Sequence, residues 1–352
     1  MSRDSLFEVS RTLLAIALAL LLGFAITLVV SEEPLQAFGY FLTGPFVTMR
    51  RFGAFLEAAI PLTFTGLAVS IVFAAGQFNI GAEGQFFIGA VAATAAGILL
   101  RLPAIIHVPV ALLCGMAAGA VAGTIPGYLK ARWNAPELVS SLMLNYVFYR
   151  LGMYFISYHL RDLTVGAMVS LPLRESSWLP QFLPPTRLHW GVLVLAVTFV
   201  CTYVLMFRTR WGYEIRMTGQ NLNFARYSGI PVSLVMLYSQ VVSGGIAGLG
   251  GAVEMLGIYR RFQWLASPGY GFDGVIIAIL SRNNPLLVPL SALFLAYLRV
   301  GADVMAMYSD VTSEMVGIIQ AVMILLITAQ AFLAGVRHRM VLREVKRRAS
   351  AS

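Results

Sequence analysis

Long apolar runs recur along the whole chain, and they constrain its fold more than any other feature. Each approaches the roughly 20 residues that a helix needs to cross a bilayer. Charged residues make up only 12% of the chain, about half of the fraction typical of soluble proteins. The runs lack the short alternating segments of a membrane β-barrel. The sequence therefore predicts an all-α, polytopic transmembrane helical bundle, with apolar runs at residues 12–30, 59–75, 86–100, 104–125, 136–157, 191–207, 232–253, 286–300 and 315–333.

The first apolar run has basic residues before it, as a secretory signal peptide does. Asp4 and Glu8 dilute that basic region, the run is long, and residues 29–32 make a poor cleavage site. These features favour a transmembrane anchor that is retained.

Cysteine and histidine usage gives no support for metal or disulfide chemistry. Cys114 and Cys201 both fall inside apolar runs, and the four histidines are scattered. We therefore expect no disulfide framework and no metal site in this chain.

Basic residues are concentrated in segments between and after the apolar runs, at 130–132, 208–226 and 335–352. Short basic loops are retained on the cytoplasmic side of a membrane. Topology thereby explains the net charge of +9 without nucleic-acid binding. If both termini are cytoplasmic, the number of crossings is even, and the nine apolar runs are one too few. The missing crossing is assigned to the stretch 271–280, which is predicted to be a broken half-helix. The prediction is a single transmembrane domain over residues 1–352 with about ten crossings, a basic cytoplasmic tail at 335–352, and external segments at 31–57, 158–190 and 302–314.

A polar, glycine-rich decapeptide at residues 76–85 separates two of the apolar runs. It carries Gln77, Asn79, Glu83 and Gln85. Irregular backbone at membrane depth is tolerated only when it is buried in protein or lines a water-filled cavity. The decapeptide is therefore interpreted as a broken helix beside a pathway, and the alternative is a short loop on one face of the membrane. The Glu83 carboxylate is expected to brace the start of the broken helix, where free N–H groups favour negative charge, and it is also a candidate to line the pathway.

A second glycine-bearing break lies at residues 268–274, in the other half of the chain. Paired breaks of this kind indicate an internal two-fold repeat around a central pathway. Asp273 follows the glycines at the start of the predicted half-helix, where an N-cap role is the simplest account.

Three other polar residues fall within the apolar runs or near their ends. Asn145 lies in the middle of a run, where it is expected to bond to a neighbouring helix or to face the pathway. Glu57 and Glu254 lie near the ends of runs and are expected to be solvated.

The basic segment at 208–230 is longer than a connector requires. We expect a short helix with Gly219 and Gly229 at its two ends, and part of its surface is expected to be shared by Leu222, Ala225 and Tyr227. A cytoplasmic amphipathic helix is suited to docking into a groove on a soluble partner or to lying on anionic lipid. Residue chemistry alone leaves both alternatives open.

Three motifs give the chain a resemblance to a known family. They read Asn-Ile-Gly-Ala-Glu-Gly-Gln at 79–85, Gly-Phe-Asp-Gly-Val at 271–275 with Arg-Asn-Asn-Pro at 282–285, and Ala-Arg-Tyr-Ser-Gly-Ile at 225–230. From about residue 55 to about residue 335 the chain resembles the permease subunits of ABC importers for nucleosides and simple sugars, within the superfamily of branched-chain amino-acid and ribose permeases. The first motif is fairly specific for the nucleoside-type branch. Ser281 stands where a glycine is commoner.

The resemblance implies a permease domain that supplies half of a solute pathway in a bacterial inner membrane and is not an enzyme. It implies three partners: a cytoplasmic ATPase that binds ATP and Mg²⁺, a second homologous permease that makes a heterodimer, and an external substrate-binding lipoprotein. The chain itself has no phosphate-binding loop, so no cofactor is expected in it. The glycines at 243–251 instead have the spacing of close helix packing. The contact with the ATPase is implied at Gly212, Glu214, Gly219, Asn223, Ala225, Arg226 and Gly229.

Two functions from different classes follow from these observations. The first is an importer permease for a nucleoside or a related small polar solute, driven by ATP hydrolysis on another subunit. The second is a self-contained transporter or channel coupled to H⁺ or Na⁺, for which Glu83 is the main ionisable candidate. Phe78, Phe86 and Phe87 offer ring faces to a base in either case, or belong to the core. The candidate pathway residues are Gln77, Asn79, Glu83, Gln85, Asn145 and Asp273.

Overall fold

A computed structural model describes residues 3–326, with side chains from residue 17 onward. Apart from a single 3-10 turn at Glu175–Ser177 and two isolated β-bridges, all regular structure in that range is α-helical. This confirms the all-α prediction. The helices are α1 (Arg3–Val30), α2 (Pro34–Val47), α3 (Met49–Ala74), α4 (Ala82–Leu99), α5 (Ala104–Trp133), α6 (Glu137–His159), α7 (Gly191–Arg208), α8 (Arg210–Gln220), α9 (Leu222–Tyr227), α10 (Val232–Gly257), α11 (Tyr270–Leu280), α12 (Val288–Tyr308) and α13 (Ser313–Leu326).

Six of the described helices are long and apolar enough to cross a membrane: α3, α4, α5, α7, α10 and α12. Three shorter apolar helical stretches are Ala17–Val30 within α1, the whole of α11, and α13. The chain is therefore a multi-pass membrane protein, while the count of about ten crossings and the internal repeat stay predictions. The predicted basic tail at 335–352 lies outside the described residues.

The chain divides into two compact units, one made of residues 1–51 and 297–352 and the other of residues 52–296. In the first unit Phe41 packs against the backbone of Gly301, and the Asp310 carboxylate accepts hydrogen bonds of 2.6 Å from the Ser31 hydroxyl and from the Glu32 amide. The second unit contains both glycine-bearing breaks. The prediction of one domain stays a prediction.

Helices α5 and α10 pack closely in the second unit because small residues face each other along both. A Cβ atom added to Gly119 would overlap the backbone of Gly244 and Gly248, and one added to Gly123 would overlap the carbonyl oxygen of Gln240. The small-residue packing that was predicted for residues 243–251 is confirmed.

Two of the three predicted external segments are largely helical, and their external location stays a prediction. Residues 31–57 contain α2 and the first turns of α3, and α12 continues to Tyr308 within the segment 302–314. Pro34 begins α2, where its missing N–H costs no hydrogen bond, and the helix buries Ala37 and Phe41. Residues 158–190 form a small structure and not a further membrane helix, as predicted, with bridges between Arg161 and Ser170 and between Gln181 and His189.

Candidate functional site

The two glycine-bearing breaks are in direct contact, and Glu83 joins them. Glu83 lies in the first turn of α4 and is only 1% exposed. Its Oε1 accepts hydrogen bonds from the Ser267 hydroxyl and from the Gly269 amide, the latter at 2.7 Å. Its Oε2 accepts a hydrogen bond of 2.5 Å from the Gly271 amide. One carboxylate on α4 therefore satisfies the backbone where α11 begins.

Glu83 takes the role at the start of α11 that the sequence assigned to Asp273. Gly269 is the N-cap residue of α11, with a φ of 85° that favours glycine. The first N–H groups of a helix lack intrahelical partners, and a carboxylate stabilises them. Asp273 is buried inside the first turn and is not the N-cap. The N-cap prediction was wrong because the acceptor comes from a residue far away in sequence.

The contact between the breaks requires glycine on α11. A Cβ atom added to Gly271 would overlap the backbone of Glu83, and one added to Gly274 would come within 2.8 Å of Thr65 on α3. α11 therefore packs against the start of α4 and the middle of α3 at backbone distance.

Buried carboxamides fix the rest of the decapeptide to α10. The Gln77 Nε2 donates to the Ser239 hydroxyl at 2.8 Å and to the Met236 carbonyl oxygen at 3.1 Å. Gln240 lies between the two decapeptide amides: its Nε2 donates to the Gln77 Oε1 at 3.0 Å, and its Oε1 accepts from the Asn79 Nδ2. These bonds order the broken segment in one conformation.

Asn145 holds the decapeptide from α6. Its Nδ2 donates to the Ile80 carbonyl oxygen at 3.0 Å, and its Oδ1 accepts from the Gly84 amide at 2.9 Å. Ser141, one turn earlier on α6, accepts a hydrogen bond of 3.2 Å from the Ile80 amide. Backbone groups that leave the helical pattern are thereby satisfied by side chains of a neighbouring helix.

Several buried polar atoms near the breaks have no hydrogen-bond partner among the described residues. They are the Nε2 and Oε1 atoms of Gln85, the Ser243 hydroxyl and the Glu254 Oε2. Glu254 is only 2% exposed, so the expectation that it is solvated was wrong. Glu254 does lie in the last turn of α10, which ends at Gly257, but the residues packed around that turn bury its side chain. Glu57 is half-buried in α3.

Aromatic rings pack around the start of α4 and α11. Phe86 and Phe87 are fully buried, whereas Phe78 is exposed and stacks on Phe73. The Phe86 ring lies 6.0 Å from that of Trp264 and 5.4 Å from that of Tyr270, between ring centroids.

The segment predicted to contact an ATPase forms α8 and α9. Asn221 begins α9 by accepting a hydrogen bond of 3.0 Å from the Phe224 amide, and Gly229, with a φ of 78°, follows its end. The short helix and its boundary at Gly229 were therefore predicted correctly, whereas Gly219 lies inside α8 and does not bound α9. Asn223 and Arg226 are exposed.

Three of the predicted coupling residues make contacts within the chain. Glu214 accepts hydrogen bonds from Arg210 at 3.0 Å and from the Tyr238 hydroxyl of α10 at 3.2 Å. Gly219 packs against the carbonyl oxygen of Ala74 at the end of α3, and Gly212 packs against the last turn of α7.

Ala225 and Tyr227 do not share a surface of α9, in contrast to the prediction. Ala225 is 0% exposed and Tyr227 is 93% exposed. Residues two positions apart lie about 200° apart around a helix, so only one of them can face the chain's own core. The exposed side of α9 instead carries Asn223, Phe224, Arg226 and Tyr227.

Sequence reasoning missed Ser239, Gln240 and Ser267, which bond directly to the breaks. The two polar residues on α10 interrupt an apolar run immediately before its glycines, and this interruption was the available signal. Among the described residues, no group of three or more His, Cys, Asp or Glu side chains is placed to hold a metal ion.

A helical multi-pass chain in which two buried helix breaks meet has the architecture of a membrane transport protein. The sequence belongs to the family described as the permease component of branched-chain amino acid transport systems, whose profile matches residues 52–328. The resemblance to ABC importer permeases is thereby confirmed.

Curated relatives cover most of the chain. The guanosine ABC transporter permease protein NupP of Bacillus subtilis is 36% identical over 90% of this chain and 92% of its own length. The glucose ABC transporter permease protein TsgB13 of Haloferax volcanii is 34% identical over 91% of this chain and 87% of its own length. The nucleoside ABC transporter permease protein NupB of Lactococcus lactis is 28% identical, with 90% coverage of both chains.

Proposed function

We propose that this chain is the membrane-spanning permease subunit of an ATP-driven importer and supplies half of the pathway for a nucleoside or a related small polar solute. The observation that carries the proposal is the junction at Glu83, where the starts of α4 and α11 are fixed to each other by buried hydrogen bonds. Irregular backbone at membrane depth occurs where it is buried in protein or lines a water-filled cavity, and in transporters the broken helices form the solute site. Gln77, Asn79, Gln85, Asn145 and Asp273 surround the same two breaks as further candidate pathway residues.

The proposed solute class rests on the relatives and on the decapeptide motif. Two of the three relatives are named for guanosine or nucleosides and one for glucose. The string at 79–85 favours the nucleoside-type branch. A nucleoside contains both a base and a sugar, so a pathway that admits it needs polar contacts as well as ring faces.

The energy source is proposed to be ATP hydrolysis on a cytoplasmic ATPase, which binds ATP and Mg²⁺ and contacts α8 and α9. The exposed side of α9 offers Phe224 and Tyr227 for this contact, and apolar and aromatic side chains are typical anchors of a helix in a groove. A second homologous permease completes the pathway, and an external lipoprotein delivers the solute. The proposal also includes about ten crossings and both termini in the cytoplasm of a bacterial inner membrane.

Reconstitution tests the proposal directly. Proteoliposomes with the chain, its partner permease, the ATPase and the binding protein should accumulate guanosine only when ATP is present on the ATPase side. A partner ATPase whose phosphate-loop lysine is replaced by alanine is the matched control and should abolish uptake. Concentrative uptake by this chain alone under a proton or sodium gradient would overturn the proposal in favour of a secondary transporter.

A further inference from the structure

Four buried polar residues lie on one side of α10, three of them in its first half and one, Glu254, in its last turn. Ser239 and Gln240 bond to the decapeptide, and Ser243 and Glu254 follow on the same side, because their spacings are close to whole numbers of helical turns. All four side chains are buried. The rise of a helix separates Gln240 from Glu254 by about 21 Å, and Ala247 and Gly250 lie between the two ends on this side. We name these four residues the α10 polar face.

Hydrogen-bonding capacity along the α10 polar face is left unused. The Ser243 hydroxyl and the Glu254 Oε2 have no partner among the described residues, and neither has the side-chain amide of Gln85 on the adjacent α4. Native proteins contain few such groups, so each one calls for an explanation. The carboxyl group has the strongest demand of the three, because it is the costliest of these groups to bury without full hydrogen bonding.

Glu254 is connected to the junction between the two breaks. Its Oε1 accepts a hydrogen bond of 3.3 Å from the Tyr270 hydroxyl. Tyr270 is the first residue of α11, and the next residue, Gly271, donates its amide to Glu83. Two carboxylates on different helices therefore hold the same helix start. Glu83 uses both oxygens for this purpose, whereas Glu254 uses only one.

The surroundings of Glu254 combine a free acceptor with aromatic rings. Tyr270 packs on Phe86, and Phe86 stacks with Trp264. The Tyr259 ring lies 5.5 Å from that of Trp264, edge to face. Carboxylates recognise ribose by accepting hydrogen bonds from its hydroxyls, and aromatic side chains stack on bases.

We propose that the α10 polar face forms one wall of the solute pathway, and that the free oxygen of Glu254 accepts hydrogen bonds from the vicinal sugar hydroxyls of a nucleoside. This inference rests on the proposed function and adds the residue that recognises the sugar. Glu254 contacts the solute and determines specificity, whereas Tyr270 is a positioning residue that orients its carboxylate.

The first experiment compares uptake of guanosine and of 2′,3′-dideoxyguanosine by the complete importer complex in proteoliposomes. The binding protein is kept saturated, and each rate is divided by the rate of the wild-type complex with the same solute, so that discrimination by the binding protein cancels. Glu254→Gln should lower guanosine uptake about tenfold, which corresponds to the loss of about one hydrogen bond. Uptake of the dideoxy analogue should change little, because it lacks both hydroxyls.

The matched control is Glu175→Gln, which removes one carboxylate at an exposed position of the 3-10 turn and should leave both rates unchanged. An equal fall for both solutes in Glu254→Gln, as expected for a structural or cation-binding carboxylate, would overturn the inference, and so would unchanged guanosine uptake. Absence of ATP-dependent guanosine uptake by the wild-type complex would instead refute the proposed function itself.

A second experiment decides the matter if the Glu254 variant does not assemble. In a background with Cys114 and Cys201 replaced by alanine, the Ser243→Cys thiol should react with a hydrophilic methanethiosulfonate reagent during ATP-driven transport, and guanosine should slow this reaction. Ser70→Cys is the control, because Ser70 is buried on α3 and bonded to the Leu67 carbonyl oxygen at 2.9 Å. If Ser243→Cys stays as unreactive as Ser70→Cys during turnover, the α10 polar face does not line the pathway.

Discussion

Glu83 and Gly271 are joined by a hydrogen bond of 2.5 Å from the Gly271 amide to the Glu83 Oε2, across 188 positions of sequence. The bond connects the first turn of α4 to the first turn of α11. Because each helix begins in a glycine-bearing break, a change at either residue affects both breaks.

Replacement of Glu83 by alanine should destabilise the protein strongly. The change removes the acceptor of three hydrogen bonds at a buried site, and an unsatisfied buried donor costs about 1–3 kcal/mol. We expect a loss of about 3 kcal/mol in the free energy of unfolding, more than the roughly 1 kcal/mol of a single N-cap, together with a loss of transport. Thermal unfolding of the purified chain in detergent measures the first effect and proteoliposome uptake the second.

The control for Glu83→Ala is Glu137→Ala, which changes a glutamate in the first turn of α6. Glu137 forms a partly exposed ion pair of 2.9 Å with Lys130, and such pairs contribute at most about 1 kcal/mol. Equal stability losses in the two variants would contradict the bracing role of Glu83.

Gly271→Ala should disrupt the junction from the other side. The added methyl group would overlap the backbone of Glu83, and backbone atoms cannot move aside as the end of a flexible side chain can. We expect α11 to be displaced, with a loss of transport and a lower unfolding temperature. Gly39→Ala is the control, because Gly39 lies inside α2 and a Cβ atom added there meets nothing within 4 Å. This variant should be neutral or should stabilise the chain by up to about 1 kcal/mol. Normal transport by Gly271→Ala would show that the close approach is dispensable.

Cysteine crosslinking should distinguish the two sides of α9. A cysteine at the exposed position Asn223 should crosslink to a cysteine in the groove of the partner ATPase, whereas a cysteine at the buried position Ala225 should not. Ala225→Arg should lower the stability of the chain itself, because a long charged side chain would enter a packed site. If Asn223→Cys gives no crosslink in the assembled complex, α9 lies on lipid instead.

Tyr227→Ala should weaken coupling between ATP hydrolysis and transport without a change in stability. The side chain is 93% exposed and therefore contributes little to the packing of this chain. The ratio of solute transported to ATP hydrolysed measures the effect, and thermal unfolding serves as the control. An unchanged ratio would remove Tyr227 from the proposed contact.

The segment 158–190 should lose stability at acid pH through Asp162. The Thr164 hydroxyl donates to Asp162 at 2.5 Å and the Thr164 amide at 3.0 Å, and these bonds, with a smaller contribution from Arg261, lower the pKa of the Asp162 carboxyl. The unfolded chain therefore takes up the proton first as pH falls. The stabilisation is present above the ordinary aspartate value of about 3.9 and is lost as pH falls through the lower folded-state pKa.

The Asp162→Asn variant checks this pH dependence. The difference in unfolding temperature between wild type and variant should shrink as the pH is lowered from about 6 to about 3, across the aspartate range. Hydrogen exchange of the Asp162 amide, which donates to the Val169 carbonyl oxygen at 3.0 Å, should show the same trend. A difference that stays constant over this range would exclude a contribution from the ionised carboxylate.

Properties that depend on neighbouring residues were predictable from the sequence. The apolar runs predicted the described membrane helices, and the half-helix predicted at 271–280 is α11, Tyr270–Leu280. Glycine spacing predicted close helix packing at 243–251 of α10, and Gly229 follows the end of α9 as predicted, whereas Asn221 and not Gly219 begins that helix. Periodicity and turn chemistry act within a few residues, so a linear pattern reports them directly.

The contacts of the candidate site were decided by tertiary structure. The partners of Glu83 lie at least 184 positions away, and Gln240 lies at least 161 positions from the amides that it joins. No local pattern reports which of many buried polar groups will meet after α3, α4, α10 and α11 pack. The burial of Glu254 and of Ala225 has the same cause, because exposure depends on the helix that covers a residue. The sequence by itself determined where helices form and where they break, because these are local preferences of the chain. The packing of distant helices decided which side chain satisfies each break, because backbone groups removed from water bond to whichever acceptor the fold brings within reach.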